Sequence, residues 1–261
     1  MKSGQTTTGL WRLLSLPLLL FFLLPLVALL LRAPFDRIIE SVMREQVRSA
    51  IGLSFVTTLI SAAIIVVFGT PVAYLLAVRH GRIEKLIDTV IDLPTVLPPS
   101  VAGIALLLAF GRRGLLGPAF TVLGVDIAFT QVAVVLAQTF VAAPFYIKSA
   151  AIAFAGIEVD LTQAASLDGA NNWDIFRHIM APLAWAGLVS GLVMSWARAL
   201  GEFGATILFA GNLQGVTQTM PLAIYIGFEA NLDTAVTLSV ILMGLSFSAL
   251  LMAKALLNRA G

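Results

Sequence analysis

The chain contains no cysteine and only two histidines, His80 and His178, in 261 residues. The first lack removes disulfides, thiolate metal sites and thiol nucleophiles, without fixing a redox compartment. The second excludes a zinc site built on three histidines. Charge is scarce too, at 11% of the sequence, against about 25% in ordinary soluble domains. With 16 basic and 14 acidic side chains there are too few to coat a globule of this size with hydrated surface. The net formal charge is only +2, and no basic stripe with interleaved aromatics stands out, which argues against a nucleic-acid partner. The four lysines follow Met1, Glu84, Ile147 and Ala253. There is therefore no Gly-Lys pair and no P-loop to hold phosphates.

What the chain has in excess is apolar residues, 59% of the total, with a mean hydropathy of +0.98. Its main solvent is lipid, and soluble enzymes drop out. A helix rising 1.5 Å per residue needs about 20 apolar residues to cross the bilayer core. Six stretches qualify: Leu13 to Leu31, Ile51 to Val78, Thr89 to Phe110, Ala128 to Phe154, Pro182 to Phe209 and Ala235 to Leu257. Backbone amides in lipid must be satisfied internally, so helices are predicted; the runs are too long and unalternating for barrel strands. Lys2 and Arg12 would suit a signal peptide, but the first stretch exceeds a usual signal core and no Ala-x-Ala site follows, so it is expected to remain as a helix. Pro17 and Pro25 within it are tolerated in membrane helices.

Six crossings put both termini on one side of the membrane. That side and its loops carry Lys2, Arg12, Arg79, Arg82, Lys85, Lys148, Arg177, Lys254 and Arg259, against Arg32, Arg37, Arg44, Arg48, Arg112 and Arg113 opposite. The excess points to cytoplasmic termini in a multi-pass inner-membrane protein. Residues 32–49 mix both signs, and Glu40–Arg44 has the i,i+4 spacing of an amphipathic surface helix; a solvated connector is the alternative. The organisation expected is residues 1–49 as an added helix and connector, and 50–257 as one membrane domain.

The informative polar stretch runs from Glu158 to Pro182 between the fourth and fifth spans. Asp160 and Gln163 have capping-box spacing and predict a short helix starting at Leu161. Gly169 can end it through a left-handed residue. Asn172 can cap a second helix carrying Trp173, Ile175, Phe176 and Ile179, and Pro182 opens the next span. The small residues Ala164, Ala165, Gly169 and Ala170 let another protein approach the backbone, so the unit reads as a docking knuckle; a plain interfacial connector is the alternative.

Gln163-Ala164-Ala165, then Gly169, then Ile179-x-x-Pro182 resembles the EAA loop of binding-protein-dependent ABC importer permeases, with Gln163 where the pattern has Glu and Ala181 where it prefers Leu. Two further stretches narrow the resemblance. One is Asp92-Leu93-Pro94-Thr95-Val96-Leu97-Pro98-Pro99-Ser100 followed by Gly111-Arg112-Arg113-Gly114. The other is Arg198-Ala199-Leu200-Gly201-Glu202-Phe203-Gly204 with Ala210-Gly211-Asn212 and Thr217-Gln218-Thr219-Met220-Pro221. Both are similar to molybdate-type permeases, and the second is shared in part with sulfate permeases.

The resemblance implies an all-α type I ABC importer transmembrane domain of six helices. Gln163, Ala164, Ala165, Gly169, Ala170, Ile179 and Pro182 would form the coupling element that enters a groove on an ATPase subunit. It also implies molybdate or tungstate as cargo, with sulfate or thiosulfate as the alternative. The implied partners are an ATPase subunit dimer that binds ATP and Mg, a periplasmic oxyanion-binding protein, and a second copy of the chain. No cofactor or metal is expected on the chain itself.

The residues also pose questions of their own. Arg198 and Glu202 lie four apart in a membrane span, where ionisable groups are expensive unless paired and mark function by default. They either border an oxyanion pathway or form a structural pair locking the fifth span to its neighbour. Pro94, Pro98, Pro99 and Gly103 break the third span, which would let Thr95 and Ser100 face a channel as hydroxyl donors or merely kink the helix. Gly201, Gly204 and Gly211 point to close helix packing. Neither histidine lies in a span, so an intramembrane protease is excluded. A secondary transporter would need mid-membrane carboxylates, and Glu202 is the one candidate; a membrane-embedded structural partner would carry no flux at all.

Overall fold

The computed structural model describes residues 3–36, 38–79 and 81–260. Lys2, Arg37 and His80 lie outside them, and nothing is placed for the side chain of Arg259. All regular structure among the described residues is helical. In chain order the elements are α1 (Ser3–Leu31), α2 (Ile38–Met43), α3 (Glu45–Val78), α4 (Arg82–Val96), α5 (Pro99–Phe110), α6 (Gly117–Val122) and α7 (Gln131–Ala155). There follow α8 (Val159–Leu167), α9 (Asn172–Ile175), a π-helical turn (Phe176–Met180), α10 (Ala181–Leu183), α11 (Trp185–Leu200), α12 (Gly204–Phe209), α13 (Met220–Ala230) and α14 (Leu232–Ala260).

Four of these carry segments long and apolar enough to cross a bilayer: Trp11–Leu31, Glu45–Val78, Gln131–Ala155 and Leu232–Met252. The count reaches six when each of two bent pairs is taken as one span, α4 with α5 at 118° and Asn172–Leu183 with α11 at 72°. The six apolar stretches of the sequence map onto these six units; the third is broken, as its prolines predict, and the fifth is broken as well. Pro98 and Pro99 account for the first break. Neither has an amide hydrogen, and a residue before proline is pushed out of the helical region; Leu97 is indeed extended, at ψ 135°. The i,i+4 pair of the connector forms, with Arg44 Nη2 at 3.5 Å from Glu40 Oε1. Arg112 makes two hydrogen bonds to Asp126, at 2.8 and 2.5 Å, across the segment that follows α5. That forked bond holds the Asp126 carboxyl below its ordinary range and raises the guanidinium.

The centre of the fold is α7, whose inward side is lined by small residues (Ala133, Ala137, Ala142, Ala150), all fully buried. In lipid, helices gain nothing from hiding apolar surface from water, so they associate by close packing and a few polar bonds. Both are present. Gly187 and Gly191 of α11 are four apart and face Ser149 and Ala153 of α7, also four apart. A Cβ added at Gly191 would lie 2.8 Å from Ser149 Cβ, and one at Gly187 would overlap Ala153 Cβ. Ser149 Oγ donates to Gly187 O at 2.8 Å and Ser195 Oγ to Ala142 O at 2.9 Å. On the opposite flank, Ser61 and Thr139 hydroxyls pair at 2.9 Å and Thr70 and Tyr146 at 2.7 Å, joining α3 to α7. The Gly187-x-x-x-Gly191 spacing was legible in the sequence, but the glycines singled out there were others.

Gly187→Ala should therefore lower stability by about 1–3 kcal/mol through overpacking. Ala153→Gly in the same chain should recover most of that loss. Thermal unfolding of the two variants in detergent reads both outcomes.

Candidate functional site

The polar knuckle begins where α7 ends. Gly156 stops that helix and the chain enters α8 with Glu158 at the N-cap in extended backbone, φ −59° and ψ 126°. The Glu158 carbonyl accepts from Leu161 N at 3.2 Å, so the helix starts at Val159, two residues before the predicted start, and no side chain caps it. Asp160 then falls in the first turn, where a carboxylate suits the helix dipole. Gly169 ends α8 as predicted. Its φ is +88°, a left-handed value that costs a glycine nothing, and the Ala170 N–H reaches back to Ala165 O at 3.0 Å. The second cap is Asn171 rather than Asn172. Its Oδ1 accepts from Trp173 N at 2.9 Å and Asp174 N at 3.0 Å, which makes Asn172 the first helical residue.

Pro182 reshapes the helix on both sides of it. It has no N–H to offer the His178 carbonyl, and the preceding turn is π-helical, with Ala181 N bonded to Phe176 O. π-turns of this kind recur at functional sites. The chain then bends by 72° into α11, so Pro182 marks a broken entry to the span.

The knuckle's bulky residues divide between two duties. Ile175 and Met180 are buried, and Phe176 meets Tyr74 of α3 edge-on at 5.7 Å and Phe154 of α7 at 6.0 Å. This aromatic nest seats the loop on both long spans. Leu167 and Trp173 point outward, 89% and 64% exposed, although Trp173 also stacks on Phe176 at 5.7 Å. Gln163, Ala164, Gly169 and Pro182 are exposed, while Ala165, Ala170 and Ile179 are half-buried against the bundle. Gln163 also lines a cleft of about 670 Å³ between α8 and the ends of α3 and α7. Of the small residues read as open to a partner, Ala164 and Gly169 are exposed whereas Ala165 and Ala170 pack against the bundle; the nest was not legible, because Tyr74 and Phe154 lie far away along the chain.

The second feature is a meeting of two helix breaks. Thr95, Pro98, Pro99 and Ser100 are all exposed at the α4–α5 elbow. The Thr95 hydroxyl donates to Asp92 O at 2.7 Å, so it is not the free donor expected, whereas Ser100 stands open. A Cβ on Gly204 would lie 2.6 Å from Pro99 Cβ, and one on Gly103 2.8 Å from Ala205 O. The α11–α12 break is thus pressed against the α4–α5 break. Arg198 Nη1 lies 2.7 Å from Glu202 Oε2, and Glu202 Oε1 accepts from Ala205 N at 2.8 Å. Glu202 is buried and both its oxygens are taken, while the Arg198 side chain keeps 30% exposure. The pair does not reach across to a neighbouring span, as the structural alternative had it; it ties the end of α11 to the start of α12. Of the three glycines singled out in the sequence for close packing, Gly201 has open room and Gly211 adopts φ +73°, so among them close helix packing belongs to Gly204.

Lys148 is not a loop residue as the charge count took it to be. It sits within α7, and its Nζ donates to Asp88 Oδ1 at 2.5 Å and Asp92 Oδ2 at 2.9 Å, both on α4. His178 is exposed on the π turn, its Nδ1 3.1 Å from Asp174 O. Among the described residues no cluster of three or more histidine, aspartate or glutamate side chains could hold a metal ion.

Comparison with known proteins gives this arrangement its setting. Residues 69–260 match the family described as binding-protein-dependent transport system inner membrane component. The molybdenum transport system permease protein ModB of Mycobacterium tuberculosis is 42% identical over 225 residues, 86% of this chain and 85% of its own. The probable transport system permease protein NifC of Clostridium pasteurianum is 36% identical over 231 residues, 88% of this chain and 81% of its own. A solved bacterial alginate ABC transporter, in complex with a pentasaccharide-bound periplasmic protein, shares the fold. Its TM-score is 0.71 at 19% identity, over 99% of this chain and 98% of that one.

The Asn171 cap is testable. Asn171→Ala should cost about 1 kcal/mol of local stability and speed amide exchange at Trp173 and Asp174 by roughly fivefold. Asn171→Asp should not. Hydrogen–deuterium exchange of the 171–180 peptide makes the comparison.

Proposed function

This chain belongs to the binding-protein-dependent transport system inner membrane components, and from that membership we propose that it is the permease subunit of an ABC importer that passes molybdate across the membrane. The cargo assignment rests on relatives named for molybdenum transport at 35–42% identity. The observation that carries the mechanism is the knuckle itself. It is outwardly bare at Gln163, Ala164 and Gly169, and it is seated by the Tyr74–Phe154–Phe176 nest on the two longest internal spans.

In this reading α8, Gly169 and α9 face the cytosol and lodge in an ATPase subunit that binds ATP and Mg. One knuckle per chain matches one ATPase subunit of a pair, so two copies of the chain form the pathway. A periplasmic binding protein delivers the oxyanion to the opposite face. Both termini lie on the cytosolic side, with Arg79, Arg82 and Lys85 near the knuckle. A ligand or partner shifts a two-state equilibrium only through contacts that differ between the states, and closure of the ATPase pair supplies that difference at the knuckle. Gln163 presents an amide where an ionic contact would need a carboxylate, so docking here depends on shape and hydrogen bonding. The gate is the contact between the α4–α5 and α11–α12 breaks. Pro98, Pro99 and Ser100 contribute from one side; Arg198 contributes from the other, with Glu202 as its fixed counter-ion.

The engagement of both Glu202 oxygens weighs against an ion-coupled secondary transporter, since that carboxylate is already bonded to Arg198 and Ala205 N. The deciding experiment reconstitutes the chain with its ATPase subunits and binding protein in liposomes. Molybdate-loaded binding protein should stimulate ATP turnover and drive uptake, and sulfate-loaded protein should not. Equal stimulation by sulfate would assign the alternative cargo, and uptake driven by a proton or sodium gradient without ATP would overturn the reading.

Replacement of Gly169 tests the knuckle. Space at its Cβ is open, so Gly169→Leu meets no clash and pays only the left-handed backbone, about 1–2 kcal/mol. The C-terminal turn of α8 should rearrange. Uptake should fall while basal ATP hydrolysis continues, measured in the same liposomes.

A further inference from the structure

Between the knuckle and the gate lies an ionic cluster that neither reading uses. Lys148 stands seven residues before the end of α7, about 10 Å from the start of the coupling loop. Its ammonium is held between Asp88 and Asp92, which are four apart and so share one face of α4. Asp92 is in turn five residues from Leu97, where the chain breaks into α5. The cluster thus joins the stem of the knuckle to the arm of the elbow.

Apart from the packing of Ile91 and Pro94, little else holds that arm within the chain. Pro94 is the one fully buried residue of α4, and Ile83, Leu86, Val90 and Val96 are all exposed. Among the described residues, no other side-chain hydrogen bond or ion pair ties α4 to another helix. The arm is short, stiff and amphipathic, and its elbow turns by 118°. A displacement of α7 near Lys148 therefore reaches α4 through this polar link, beside the apolar packing of Ile91 and Pro94. The attachment is also directional, because a lysine held by two carboxylates resists both sliding along α4 and rotation about it. Each side chain of the cluster is only partly buried, so the bonds can re-form after each stroke rather than locking the helices permanently.

We propose that Lys148, gripped by Asp88 and Asp92, is the positioning residue that transmits movement of the coupling loop into the α4–α5 elbow. This rests on the permease reading, and it assigns the transmission step to a specific link. The lysine touches neither cargo nor ATPase; it acts through α4.

The test uses the assembled transporter in liposomes, reading ATP turnover and molybdate uptake together. Lys148→Met keeps the aliphatic stem and removes the charge. It should leave stimulated ATP hydrolysis within about twofold of the parent while molybdate imported per ATP falls by about tenfold or more. Lys148→Arg should restore coupling to within about threefold, since a guanidinium can bridge the same two carboxylates. Asp88→Asn and Asp92→Asn, each leaving one partner, should give intermediate losses. The double variant should be no worse than Lys148→Met, as expected for groups acting as one unit. Should Lys148→Met fail to assemble, the two single aspartate variants carry the test. Unchanged molybdate per ATP in Lys148→Met, or in both single aspartate variants, overturns the proposal. So does a parallel fall of ATP turnover and uptake, which would mark a merely structural bond, or failure of Lys148→Arg to restore coupling. If instead the parent complex shows no ATP-driven molybdate uptake, it is the permease reading that fails.

Discussion

The closeness of α7 to α11 is the constraint on which the rest of this chain depends. A bilayer supplies no hydrophobic push between helices, so contact must come from atoms meeting at short range and from polar bonds that lipid cannot replace. Gly187 and Gly191 opposite Ser149 and Ala153 bring the two backbones near enough for serine hydroxyls to reach main-chain carbonyls on the facing helix. The same economy joins α3 to α7 through hydroxyl pairs, and α11 to α3 through Trp196 Nε1 and Thr58 Oγ1 at 3.1 Å. Thr57 and Thr58 spend their hydroxyl protons on carbonyls one turn back, which leaves few polar groups for lipid to meet.

Because α7 is the shared partner, every moving part is referred to it. Its C-terminal end supplies Phe154 to the aromatic nest and runs through Gly156 into the knuckle. About two turns before that end, Lys148 holds α4. Its N-terminal half packs on α12 through Val134 and Ala137 beside Ala205 and Phe209. A continuous helix attached at three different heights couples those three sites to one another. Packed interiors switch between discrete arrangements more readily than they deform continuously, which suits the two-state mechanism proposed for this chain.

How far this was legible in the sequence depends on the range of each interaction. The apolar runs set the number of spans, because hydropathy reports the solvent directly. The helix–glycine–helix unit was legible because caps and stops are local, yet each cap shifted by a residue or two. Glu158 and Asn171 compete with Asp160 and Asn172 for the same role, and backbone geometry alone decides between them. The breaks at Pro98 and Pro182 were marked by proline chemistry, but their angles, 118° and 72°, depend on what the following helices pack against. What stayed hidden was everything that joins distant segments: Tyr74 with Phe154 and Phe176, Gly204 with Pro99, Lys148 with Asp88 and Asp92. A lysine inside an apolar run and two aspartates one turn apart were visible signals of a membrane ion cluster, and they went unpaired because nothing local links positions 60 residues apart.

The meeting of the two breaks comes from the same physics. An interrupted helix frees carbonyls and amides that lipid cannot satisfy, so it must be covered by protein or border water. Placing two interruptions against each other covers part of both. Gly103 and Gly204 allow the approach, and Glu202 takes up one freed amide of α12 directly. The carboxylate that does so is buried and would be costly unpaired, hence Arg198 one turn earlier. Pairing leaves Arg198 as the less buried member, its side chain 30% exposed against 1% for Glu202. The ion pair and the proposed pathway are therefore compatible readings of these residues: Glu202 stabilises the break, and Arg198 is the half that keeps some exposure.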